Sequence, residues 1–124
     1  MSSGRSCLVV DDSTVIRRVV GDMFRGLNFS VSEAPTGLHA VNHCRGQSPD
    51  LIMLDWNMPV MDGITCLREV RALEMAKRPI VIMCTTESQL SKIQEALTVG
   101  ADEYIMKPFD RDVLLDKLTQ FELV

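Results

Sequence analysis

Short apolar runs alternate along this chain with longer stretches in which apolar residues recur every three or four positions. The runs cover residues 6–10, 30–34, 51–54, 80–84 and 103–106, each short and mostly rich in β-branched side chains. They read as strands, and the stretches of helical periodicity between them read as helices. The helices are expected over residues 14–27, 38–45, 64–74, 87–99 and 111–121. Ser13 is placed to cap the first, which carries Val15, Ile16, Val19, Val20, Met23 and Phe24 at helical spacing. Gly100 is placed to end the fourth, and the fifth gathers Leu114, Leu115, Leu118 and Phe121 on one side. Pro35-Thr36-Gly37 and residues 46–49 break the chain, and a loop over 55–62 carries Pro59 and closes at Gly63.

Five strand–helix units in succession imply an α/β protein with helices on both faces of a parallel sheet. Right-handed crossovers and the short doubly wound (flavodoxin-like) order 2-1-3-4-5 set the first strand beside the third. All strands then end on one edge, where ligands of open α/β sheets bind. Asp11 and Asp12 follow the first strand, Asp55 the third, Thr85 the fourth and Lys107 the fifth. Any one of these alone reads as a turn, cap or solvated residue. Three carboxylates, a hydroxyl and an ammonium group converging on one edge read as a site.

The 124 residues fit one domain, taken here as 1–124 with no linker, internal repeat or attached effector domain. The chain is 46% hydrophobic and 24% charged, the range of ordinary globular proteins. A net charge of −4 argues against nucleic-acid binding, which needs clustered Lys and Arg. No apolar run reaches the length of a membrane span, and residues 1–5 lead straight into the first strand without a signal peptide. A cytoplasmic monomer is expected. Cys7, Cys44, Cys66 and Cys84 form no CxxC pair, so buried free thiols are expected. His39 and His43 lie four apart on the second helix without a third ligand, and read as polar-face residues.

Crowded carboxylates repel one another unless a cation sits among them. Mg²⁺ suits this set, because it uses one or two carboxylates, waters and a phosphate oxygen. Ca²⁺ wants a wrapping loop of oxygens, and Zn²⁺ wants Cys or His. A carboxylate beside Mg²⁺ and a lysine is placed to attack phosphorus. Asp55 is the nucleophile, Lys107 and the metal offset charge on the phosphoryl oxygens, and Thr85 donates a hydrogen bond.

Asp11-Asp12, the loop from Asp55-Trp56-Asn57-Met58-Pro59 to Met61-Asp62-Gly63, Thr85-Thr86-Glu87 and Lys107-Pro108-Phe109 resemble the receiver domains of two-component response regulators. Trp56-Asn57 and Tyr104 resemble the chemotaxis-type, CheY-like single-domain members. The resemblance implies that Asp55 takes phosphate from a histidine kinase. It implies Mg²⁺ held by Asp12, Asp55 and the Asn57 carbonyl, with Asp11 acting through water, and a cis Lys107–Pro108 peptide. Asn57 and Glu87 would tune dephosphorylation. Thr85 and Tyr104 would switch, reshaping the face made by the fourth helix, fifth strand and fifth helix for a flagellar switch protein or another downstream protein. The outward face of the first helix, with Arg17 and Arg18, would meet the kinase.

At Thr86 the chain departs from motor-binding members, which often carry a smaller residue there; the added volume works against rotation of Tyr104. The fourth helix also offers Lys92 against Glu87 and Glu95. A phosphate sink or adaptor that never meets the motor is the alternative within signalling. An aspartyl-nucleophile phosphatase is the enzyme alternative. It wants a second Asp two residues past the nucleophile, where Asn57 cannot protonate a leaving group. Nucleotide binding lacks a Gly-rich loop after the first strand.

Overall fold

The computed structural model describes residues 4–123. Residues 1–3, expected to lead straight into the first strand, lie outside the described residues. The elements run β1 (Ser6–Val10), α1 (Thr14–Gly26), β2 (Ser30–Ala34), α2 (Gly37–Gly46), β3 (Leu51–Asp55), α3 (Gly63–Ala72), β4 (Ile80–Thr85), a 3₁₀ segment (Glu87–Lys92), α4 (Ile93–Val99), β5 (Glu103–Met106) and α5 (Arg111–Thr119). All five strands are parallel, in the order β2-β1-β3-β4-β5.

The period-2 alternation of the strands builds a core on each face of the sheet. Leu8, Val10, Ile52, Leu54, Val81 and Met83 point to one side, under Val41 of α2, Leu67 and Val70 of α3, and Ile93 of α4. Cys7, Val9, Leu51, Met53, Ile82 and Ile105 point to the other, under Val20 and Phe24 of α1 and Leu114 and Leu118 of α5. The sheet is thus sandwiched, and its polar chemistry is confined to the two edges where strands begin and end.

Two details differ from the pattern-based expectation. The fourth helix was expected to run unbroken over 87–99, but its first half is a 3₁₀ segment. Gln89 folds its side chain back beneath that segment, where its oxygen accepts the Thr86 N–H at 3.0 Å and caps its first turn. The apolar residues of α1 also do not form a single buried stripe. Val20 and Phe24 are buried, whereas Val15, Ile16 and Val19 are exposed. Six apolar residues in ten positions exceed what one face of a helix can turn inward.

The caps follow the sequence. The Ser13 hydroxyl accepts from the Ile16 N–H, Asp62 and Asp110 cap α3 and α5 in the same way, and Gly100 ends α4 at φ 137°. All four cysteines are free and buried. Burial pushes the Cys44 thiol up to about 11 and those of Cys66 and Cys84 to about 12, so they behave as inert hydrophobes. No helix among the described residues is long and apolar enough to cross a membrane.

Candidate metal and phosphoryl site

Strand register assembles the site. Val10 lies opposite Leu54 and Cys84 opposite Asp55, so Asp11 and Asp55 leave adjacent strands at the same level and Thr85 follows one residue beyond it on the next strand. Asp11, Asp12 and Asp55 bring carboxylate oxygens within 4.8 Å of one another; among the described residues this is the group with metal-binding potential. Asp11 and Asp55 are buried and Asp12 is exposed, so the cluster opens to solvent on one side.

Lys107 reaches across from the end of β5. Its Nζ lies 2.7 Å from Asp55 Oδ1 and 3.1 Å from Asp11 Oδ2. The backbone around it is fixed: the Lys107 N–H donates to the Thr85 carbonyl at 2.7 Å, and the Lys107–Pro108 peptide is cis, as the resemblance implied. Asp11 is aimed by the Ser13 N–H, which donates to its other carboxylate oxygen at 2.9 Å. Arg17 of α1 donates to the Asp11 carbonyl at 2.8 Å while paired with Glu33. Arg17, expected on the outward face of the first helix beside Arg18, is instead turned in against this loop, leaving Arg18 exposed, because an arginine on a helix surface gives no sequence sign of reaching a loop carbonyl.

Burial pushes the Asp55 carboxyl up, Lys107 pulls it down and Asp11 pushes it up again, leaving it above the usual carboxylate value. Burial pulls the Lys107 ammonium down, but Asp55 and Asp11 outweigh this and hold it above its ordinary value. One firmly protonated lysine therefore faces three carboxylates, an imbalance that an additional cation would relieve. The all-oxygen donor set fits Mg²⁺ and lacks the Cys and His of a zinc site.

The loop after Asp55 is tightly built. The Gly63 N–H donates to the Trp56 carbonyl at 2.8 Å, and a Cβ on Gly63 would stand 2.4 Å from the Asp55 carbonyl oxygen, so only glycine fits there. The Met61 N–H donates to the Pro59 carbonyl at 2.8 Å around Val60, whose φ of 71° is costly for a β-branched residue. Trp56 is buried and Asn57 exposed.

Thr85 is fully buried, and its hydroxyl donates to the Thr86 carbonyl at 3.2 Å. Glu87 is exposed at the start of the 3₁₀ segment. Tyr104 is half-buried beside the α2–α3–α4 core, with Lys117 Nζ 5.0 Å from its ring centroid. Thr86 lines an apolar groove of about 410 Å³ with Ile16, Val19, Val20, Met23 and Phe109. Gln89 went unnoticed in the sequence, although Thr86-Glu87-Ser88-Gln89 has the spacing of a capping box.

A family model described as the response regulator receiver domain matches residues 7–119. This chain belongs to that family. It is 40% identical over 119 residues to the chemotaxis protein CheY of Pseudomonas aeruginosa, covering 94% of this chain and 96% of that one. It is 37% identical over 114 residues to the chemotaxis protein CheY of Bacillus subtilis, covering 91% and 93%. Among solved structures, chemotaxis protein CheY4 of Vibrio cholerae matches with a TM-score of 0.86 and 34% identity over 94% of this chain and 97% of that one. The receiver domain of a sensor histidine kinase from Pseudomonas aeruginosa, with a magnesium ion coordinated in its active-site cleft, matches with a TM-score of 0.85 and 32% identity over 95% and 97%. The chain is a CheY-like receiver, a signalling module rather than a classical enzyme.

Proposed function

We propose that this receiver accepts a phosphoryl group on Asp55 from a histidine kinase and signals through the face of α4, β5 and α5, in control of a flagellar motor. The observation that carries the reading is the contact of Lys107 Nζ with Asp55 at 2.7 Å inside a three-carboxylate cluster at the strand ends. Asp12, Asp55 and the Asn57 carbonyl would hold Mg²⁺, with Asp11 acting through water. When bound, the ion offsets the charge of the carboxylates and of the phosphoryl oxygens.

The chain's own groups supply the rest. An Asp55 oxygen forms the new P–O bond as the P–N bond to the kinase histidine breaks, and the histidine nitrogen leaves with the electron pair. Lys107 keeps its proton and donates to the phosphoryl oxygens. Thr85 turns its hydroxyl from the Thr86 carbonyl toward the new anion, and Tyr104 follows into the space released. Asn57 and Glu87, both exposed beside the site, tune the approach of hydrolytic water. The similarity to chemotaxis proteins along nearly the whole chain supports the motor-control assignment.

Acetyl phosphate with Mg²⁺, followed by intact mass, tests the site. The wild type should gain one phosphate adduct, Asp55→Asn none, and EDTA should abolish the gain. A label on any other residue overturns the assignment.

A further inference from the structure

One polar side chain near the site has no part in the phosphoryl chemistry above. Gln89 belongs to the 3₁₀ segment yet is only 7% exposed. Its side-chain oxygen accepts the Thr86 N–H at 3.0 Å and lies 3.5 Å from the Thr85 hydroxyl, as a second acceptor behind the nearer Thr86 carbonyl at 3.2 Å. Both donors sit at the carboxyl end of β4, just past Cys84, which is in register with Asp55. A phosphoryl group on Asp55 would bring strong acceptor oxygens to that edge. The Thr85 hydroxyl at the end of β4 and the Thr86 N–H just after it are donors at that edge, and both lie within reach of Gln89.

We propose that Gln89 is a positioning residue, an internal acceptor that holds the Thr86 N–H and, with the Thr86 carbonyl, shares the Thr85 hydroxyl in the unphosphorylated protein, and that surrenders both to the phosphoryl group. This rests on the reading of Asp55 as acceptor and adds how that site is regulated. A helix cap alone would need only the Thr86 N–H and would not need burial; the hydroxyl contact and the buried amide go beyond capping. Bonds to an ionised acceptor are about twice as strong as those to a neutral amide, so the exchange favours the phosphoryl group. Whatever Gln89 holds is subtracted from that gain, and this sets how far phosphorylation moves the population. Once released, Gln89 no longer caps the 3₁₀ segment leading into α4, so the same exchange alters the output face.

Beryllofluoride with Mg²⁺ serves as the phosphoryl probe, read by fluorescence of the buried Trp56 beside Asp55. Gln89→Met keeps the volume without an acceptor and should bind beryllofluoride about five- to tenfold more tightly, with affinity for Mg²⁺ alone unchanged. Gln89→Glu keeps an acceptor oxygen and should show no tightening. Adding Thr85→Val should shrink the gain from Gln89→Met, an effect that a merely structural role would not produce. In the wild type, saturating beryllofluoride should move the Gln89 side-chain amide signals toward those of a solvated glutamine. Static signals, or a Gln89→Met protein that binds no more tightly than wild type, overturn the proposal while Asp55 stands. A wild type that takes up no beryllofluoride removes both readings together.

Discussion

The two ends of the sheet treat their carboxylates in opposite ways. At the amino end, Asp50 accepts the Ser6 N–H at 2.7 Å and pairs with Lys77. Asp102 accepts the Val81 N–H at 2.9 Å and pairs with Arg71 and Arg78, each at 3.0 Å. Arg71 also donates to the Gly100 and Pro79 carbonyls, tying α3, the turn after α4 and the start of β4 together. At the carboxyl end, three carboxylates cluster and Lys107 pairs with two of them, Asp11 and Asp55. Burial raises Asp50's carboxyl, but Lys77, the Ser6 N–H and Arg5 outweigh it and the group titrates below its ordinary value, whereas Asp55 titrates above its own. Charges at the amino end are matched in place, and those of the candidate site are matched only in part, by Lys107.

The widest separation between the ends comes from Arg71→Ala. It removes several half-buried hydrogen bonds and should cost about 2–4 kcal/mol in urea unfolding, while the protein that remains folded still takes one phosphate from acetyl phosphate. Loss of the adduct with the fold intact would break the division. Asp12→Asn should do the reverse: it relieves repulsion and raises the metal-free melting midpoint by about 2 °C, and it removes the stabilisation that Mg²⁺ gives the wild type. A lower metal-free midpoint would mean that Asp12 is structurally satisfied after all.

The smallest and most diagnostic effect is in pH. Asp50's folded value lies below its unfolded 3.8, so its contribution is present above that pH and is lost as the pH falls through the folded value. Asp55's folded value lies above 3.8, so stability falls as the pH rises through that folded value. In chelator at pH 7, Asp55→Asn should therefore be more stable than wild type and Asp50→Asn less stable. Urea midpoints from about pH 3 to 7, a range that spans ordinary carboxylate titration, check both signs, and shifts in the same direction would collapse the contrast.

Most of the architecture was legible because it rests on periodicity. The runs at 6–10, 30–34 and 103–106 became strands with those bounds, and the order 2-1-3-4-5 placed Asp11 beside Asp55. The convergence of Asp11, Asp12, Asp55 and Lys107 followed from that order together with the shared edge on which parallel strands end. What escaped was decided by side-chain direction. Val15, Ile16 and Val19 have the spacing of buried residues, but neighbouring elements cover only the side of α1 bearing Val20 and Phe24. The 3₁₀ segment carries a glutamine that turns inward as part of its cap, which helical periodicity does not encode. The contact of Arg17 with the Asp11 carbonyl depends on a loop path visible only in three dimensions.

The close approach of Gly63 to the Asp55 carbonyl gives the molecule a direction of recoil. With no slack between α3's first turn and the acceptor's main chain, that flank acts as an anvil. Displacement imposed by the proposed anion would leave through β4 and β5, the side that carries the Thr85 hydroxyl and the half-buried Tyr104 ring.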